Sequence, residues 1–129
     1  PFLIYFFTHF LRTQERPNLL IIFTDEQGYG DVGCYGNENL YTPRFDQLAK
    51  ERPRFTNFYA QPICDPSRSA LRTGRYPLRS GGFGMPLSKV TFAELIGTVD
   101  YQTACIGKWD VSNRRPIVDR MPNAKGFDY

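Results

Sequence analysis

Two kinds of apolar spacing alternate along this chain. Residues 18–24 hold the unbroken run Leu19-Leu20-Ile21-Ile22-Phe23 between Pro17 and an acidic, glycine-rich stretch, which suits a short central strand covered on both faces, as in a parallel sheet. Gly28, Gly30, Gly33 and Gly36 make the next stretch a loop, at a spacing that is not a phosphate-loop pattern. Thr42-Pro43 then reads as N-cap and first helical residue, and Phe45, Leu48 and Ala49 share one face of a helix that runs to about Arg52 and is stopped by Pro53. Phe55, Phe58 and Tyr59 belong to a second strand and its packing layer. A helix over 66–73 ends at Gly74, whose missing β-carbon suits a left-handed terminus. Gly81-Gly82-Phe83-Gly84 with Pro86 is a loop. Thr91 and Glu94 form a capping box for a helix to about Val99, and 102–106 is a further strand ending at Gly107-Lys108-Trp109-Asp110. Strands and helices in alternation predict an α/β layer architecture with at least part of the sheet parallel.

A chain of 129 residues has room for one domain with a core, but not for a large enzyme. The apolar fraction of 41% and aromatic fraction of 16% exclude a disordered chain. A net charge of +3 with no basic stripe interleaved with aromatics gives no nucleic-acid signature. Arg68, Arg72, Arg75 and Arg79 fall at helical spacing, yet Gly74 and Pro77 interrupt a helix of that length. Arg68 is therefore expected to point into a site and the later arginines to be mostly solvated, together raising the local potential for an anionic substrate. Residues 1–11 are almost all apolar or aromatic, too short to span a bilayer stably, and read as a truncated export signal or signal anchor, or else as a spurious upstream extension. Cys34, Cys64 and Cys105 match no zinc spacing; Cys34 and Cys105 are a pair or two buried thiols, and buried thiols are favoured because Cys105 lies in an apolar run.

Three places carry candidate chemistry. Cys64 lies just before Pro66 at the positive end of a short helix, where free amides and the guanidinium of Arg68, one turn on, reach an oxyanion near the sulfur. The bland alternative is a half-buried apolar cysteine beside a solvated arginine. Asp25 and Glu26 sit at the carboxyl end of a predicted strand, where ligands collect in open α/β sheets. Adjacent carboxylates repel unless a cation neutralises them, and oxygen donors favour Ca²⁺ or Mg²⁺; solvated acids in a turn are the alternative. Lys108 and Asp110 form the third group, with an ordinary surface lysine as the alternative reading.

The block Cys64-Asp65-Pro66-Ser67-Arg68, continued by Ser69-Ala70-Leu71 and Thr73-Gly74-Arg75-Tyr76-Pro77 and preceded by Arg54-Phe55-Thr56-Asn57-Phe58-Tyr59-Ala60, resembles the Cys-x-Pro-x-Arg signature of the type I sulfatases. In that family a separate maturation enzyme oxidises the cysteine to formylglycine. The resemblance extends over residues 16–129: Asp25-Glu26-Gln27-Gly28 resembles the first metal motif, which usually carries two aspartates; Gly107-Lys108-Trp109 resembles the block that places a lysine on sulfate; and Gly126-Phe127-Asp128-Tyr129 resembles a later landmark. Where the family commonly has a histidine after that block, this chain has Asp110, a residue that cannot donate as an imidazolium does. The resemblance implies an alkaline-phosphatase-like mixed sheet flanked by helices, present here as an N-terminal fragment of the catalytic domain (16–129) behind a hydrophobic leader (1–15), because family members are several times longer.

It also implies roles. Cys64, as formylglycine, with Arg68 and Lys108 would be catalytic; Asp25, Glu26 and residue 64 would bind Ca²⁺ or Mg²⁺; Lys108 and Asp110 would meet the substrate. The expected reaction is hydrolysis of a sulfate ester of a small molecule or carbohydrate, in an exported protein that is periplasmic, extracellular or lysosomal. Two other readings stand beside it: a phosphoester or phosphonate hydrolase of the same superfamily, and a non-catalytic anion- or metal-binding remnant.

Overall fold

A computed structural model of the protein describes residues 16–80, 83–111 and 117–129. The expected leader at 1–15 lies outside the described residues, as do the glycines of the loop at 81–82. Four helices organise the rest: α1 (Pro43–Glu51), α2 (Cys64–Thr73), α3 (Pro77–Ser80) and α4 (Phe92–Gly97), joined by 3₁₀ turns at Tyr29–Asp31, Gly33–Tyr35, Val118–Arg120 and Asn123–Lys125.

Local chemistry explains where each helix starts and stops. Pro43 opens α1 as expected, but the Thr42 hydroxyl is not a cap; it accepts from the Gly33 amide at 2.8 Å and donates to Asp46 Oδ1 at 3.2 Å, fastening α1 to the preceding turn. Helix α2 begins at Cys64, two residues before the predicted start at 66. Pro66 is tolerated there because amides of the first turn have no intrahelical partner in any case. The Ser67 hydroxyl accepts from the Gln61 amide at 2.9 Å and lies 2.9 Å from the Ile63 carbonyl, folding the incoming chain onto the helix. At the other end Gly74 takes φ 63°, and its amide donates to Ala70 O at 2.8 Å. In α4 the capping box is complete: the Glu94 amide donates to Thr91 Oγ1 at 3.1 Å, and the Thr91 amide to Glu94 Oε2 at 2.7 Å. This helix stops two residues short of Val99, because Thr98 Oγ1 donates to Leu95 O and Asp100 turns into the left-handed region at φ 63°.

The core lies in the second half. Met85, Ala93, Trp109, Val111 and Phe127 are buried together, with Phe92 and Cys105 packed against them. Phe127 meets the edges of both Phe92 and Trp109, with centroids at 5.9 and 5.6 Å and planes near perpendicular; each such pair contributes about 1 kcal/mol beyond the area it buries. The Trp109 indole N–H donates to Arg120 O at 2.7 Å, and the Met85 amide to Val111 O at 3.1 Å. Lys125, itself buried, reaches Glu94 at 3.0 Å and Lys89 O at 2.8 Å.

The predicted sheet is the main departure. Among the described residues no segment is paired as a strand. Residues 18–24 make no backbone hydrogen bond to any described residue, and Leu20 is 85% exposed rather than covered on both faces. Phe55, Phe58 and Tyr59 are likewise exposed. Of the predicted strands, 103–105 is the one that finds a backbone partner among the described residues, through Asp128 N to Thr103 O at 3.0 Å and Cys105 N to Tyr129 O at 2.7 Å. A strand is stabilised by the neighbour it pairs with, whereas a helix satisfies its own backbone. The helices therefore form where they are expected, while among the described residues the predicted strands do not assemble into a sheet. The cysteines are three free, half-buried thiols, so Cys34 and Cys105 are not a pair.

Candidate active site

Helix α2 brings Cys64 and Arg68 to one end of the fold. Asp65, next to Cys64, is buried and takes the Gly84 amide on both carboxylate oxygens, at 2.8 and 3.0 Å, which anchors the first turn to the packed half of the molecule. Cys64 is half-buried and lines a cleft of about 270 Å³ together with Asp25, Glu26, Gln27 and Ser67. A larger cavity of about 760 Å³ lies between the apolar run and α1, walled largely by apolar side chains such as Ile22, Phe45 and Phe55. It is the gap left beneath an unpaired segment; the polar and reactive groups gather in the smaller cleft.

Arg68 is buried, and its guanidinium organises the site. Nη2 donates to Asp25 Oδ1 at 3.0 Å, Nη1 donates to the Lys108 carbonyl at 2.9 Å, and the group lies 5.2 Å from the Phe23 ring centroid. Nε is buried and has no hydrogen-bond partner among the described residues. Lys108, presented by a left-handed Gly107 at φ 97°, donates to both oxygens of Asp25 at 2.9 and 3.2 Å, and its Nζ is 3.5 Å from Asp110 Oδ2. Hydrogen bonds from Lys108 and then Arg68 hold the Asp25 carboxyl below its ordinary range, and Asp25 in turn raises the Lys108 ammonium. Thus Asp25, Cys64, Arg68, Lys108 and Asp110, singled out from sequence, meet at one place, and Glu26 lines the same cleft in an uncommon left-handed backbone with φ 55°.

The metal ligands expected from sequence are Asp25, Glu26 and residue 64. Among the described residues no group of three carboxylate, thiol or imidazole side chains converges to hold an ion, so Asp25, Glu26 and Cys64 share a cleft without forming a coordination cluster. The charge of Asp25 is balanced by two protein cations. With six to eight oxygens in a calcium shell, the two acids supply only a part of one.

Arg72 overturns the expectation that the later arginines are solvated. It is 7% exposed, stacks over Trp109 with the guanidinium 4.0 Å from the ring centroid, and is pushed down from its ordinary pKa by burial, an effect opposed by the neighbouring Cys105. Arg75 and Arg79 are exposed as expected. Sequence reasoning also missed the anchoring role of Asp65. The available signal was the i, i+4 spacing of Arg68 and Arg72, which places both on one face of α2.

The family model described as Sulfatase matches residues 17–129. Human steryl-sulfatase is 40% identical, over 100% of this chain and 26% of its own length, and human arylsulfatase A is 46% identical, over 77% and 22%. The crystal structure of Ps i-CgsB in complex with k-i-k-neocarrahexaose superposes with a TM-score of 0.73 at 36% identity, covering 81% of this chain and 25% of that one. That of BT4656 in complex with D-glucosamine-2-N,6-O-disulfate gives 0.74 at 33%, covering 88% and 22%. The chain thus spans about a quarter of the length of the curated relatives it matches.

Proposed function

Because the chain belongs to the sulfatase family, we propose that the protein it forms hydrolyses sulfate esters at the cleft around residue 64. The observation that carries this reading is the convergence of two cations, Arg68 and Lys108, on Asp25 beside a cysteine at the start of α2. Lys108 has 40% of its side chain exposed, which leaves its ammonium able to meet an anion, while buried Arg68 fixes the position of Asp25. Such preorganised charge lowers the energy of an oxyanion without reorganisation during reaction.

Cys64 is proposed as the site of formylglycine, made by a maturation enzyme acting on the chain. Oxidised in this way, residue 64 would supply a hydrated aldehyde, one hydroxyl taking the sulfuryl group as the ester's alcohol leaves and the other, once deprotonated, releasing sulfate and restoring the aldehyde. A divalent cation, Ca²⁺ or Mg²⁺, belongs to the same reading: Asp25 and Glu26 would give it oxygen donors beside residue 64, completed by donors outside the described residues, and it would add charge stabilisation there. Sulfated carbohydrates or small sulfate esters are the proposed substrates, in keeping with the sulfated sugar bound by a structural neighbour. The reading further includes an alkaline-phosphatase-like sheet assembled around 18–24 and 102–106, and export guided by the apolar residues at 1–11; among the described residues no helix is long and apolar enough to cross a membrane.

Mass spectrometry of the peptide containing residue 64, from protein made in its native host, tests the modification. An aldehyde is expected, with turnover of an aryl sulfate falling at least about a thousandfold in C64A, as for loss of a covalent nucleophile. Undiminished turnover by a protein whose Cys64 is wholly an unmodified thiol would reject this function.

A further inference from the structure

Asp110 has a left-handed backbone, φ 46°, a conformation that residues with a β-carbon adopt rarely and at a cost. Among the described residues its Oδ2, shut off from solvent, has no hydrogen-bond partner, while its ion-pair partner, Lys108 Nζ, lies 3.5 Å away. Asp25 Oδ2 contacts the same ammonium at 2.9 Å. Lys108 therefore has two carboxylates beside its ammonium, with the Cys64 sulfur within range of its charge. Arg72 also feels the Asp110 charge. An oxyanion arriving at Lys108 meets a cation already shared between two acids, one of which has an oxygen closed to solvent.

We propose that Asp110 is a specificity-determining residue, which makes this site favour singly charged over doubly charged oxyanion esters. The proposal rests on the reading of this cleft as a sulfate-ester site. A sulfate monoester carries one negative charge, whereas a phosphate monoester above its second pKa of about 6 carries two. Each unit of charge brought to Lys108 is repelled by the Asp110 carboxylate from a few ångströms further on. In the partly desolvated surroundings of a protein surface this weakens binding by about tenfold per charge. The monoanion meets that factor once and the dianion twice.

Calorimetric titration of the full chain with methyl sulfate and with methyl phosphate at pH 8, for the wild type and Asp110→Asn, tests this. Asparagine tolerates left-handed backbone and matches the shape of aspartate, so only the charge is removed. Asp110→Asn is expected to bind methyl sulfate about tenfold and methyl phosphate about a hundredfold more tightly, narrowing the preference for the monoanion about tenfold. Asp110→Glu, which keeps the charge, is expected to keep the wild-type preference; a preference matching that of Asp110→Asn would make the effect steric and overturn the assignment. An equal gain for both ligands, or none for either, would overturn the role of Asp110 and leave the anion site standing. Failure of methyl sulfate to bind any of the three proteins would overturn the anion-site reading itself, and the proposal with it.

Discussion

Residues 18–60 and residues 85–129 are similarly rich in apolar side chains, and only the second stretch packs them. In the first, Val32 is the one buried hydrophobic among the described residues, while Leu19, Leu20 and Ile22 are more than 60% exposed. In the second, a capping box, edge-on aromatics and a buried lysine close a core around Trp109 and Phe127. The difference teaches where the order comes from. Contacts available to a helix and its caps are near in sequence, whereas a strand needs a neighbour brought from elsewhere. The site stands on the seam: Asp25, at the end of the unpaired run, is held by Arg68 and Lys108 from the packed side. Charge, not a sheet, fixes its position here.

The strongest way to break this contrast is at Gly126. It has φ 89°, and a β-carbon there would lie 2.7 Å from Glu94 Cα and run into the Glu94 amide. Gly126→Ala is expected to cost about 3 kcal/mol or more, summing left-handed strain and overpacking, as read by urea denaturation; a cost under about 1 kcal/mol would mean that the packed half is looser than described. Next is Thr91→Ala. The buried hydroxyl accepts from Glu94 N and donates to Lys125 O at 2.7 Å, so its loss is expected to cost about 1–2 kcal/mol, with amide exchange accelerating in α4 but not in α1.

Acid gives a smaller effect. Burial raises the Glu94 pKa, but hydrogen bonds from Thr91 and Lys125 outweigh it and leave the folded value below 4.5. A carboxyl depressed on folding stabilises the fold above its unfolded pKa, and that contribution disappears as pH falls through the folded value. Thermal melts should therefore fall in stability below about pH 4.5, less steeply in Glu94→Gln; identical acid profiles would remove the Glu94–Lys125 pair from the account. The smallest effect is expected at Leu20, where Leu20→Lys should change stability by no more than about 0.5 kcal/mol, as for an exposed position, while reducing self-association in sedimentation. A clear loss of stability would show that the run is packed after all.

How much was legible follows the same division. The stop of α2 at Gly74 and the cap of α4 were visible because the residues that cause them are adjacent in the chain. The meeting of Asp25, Cys64, Arg68 and Lys108 was visible through the family signature. That 18–24 would stay unpaired was not, since an apolar run calls for burial without naming the partner that would supply it. Arg72 was misjudged for a related reason: its burial depends on Trp109, which contacts it only through the fold. That Arg68 and Lys108 would both donate to Asp25 was not visible either, because residues 25, 68 and 108 touch only through the fold.

The grip of Asp65 on the Gly84 amide has a consequence for anyone altering this protein. It couples the orientation of the neighbouring sulfur to a peptide unit far along the chain. Remodelling that distant bend would retune reactivity without touching the cleft, and a library confined to cleft-lining positions would overlook one of its steering points.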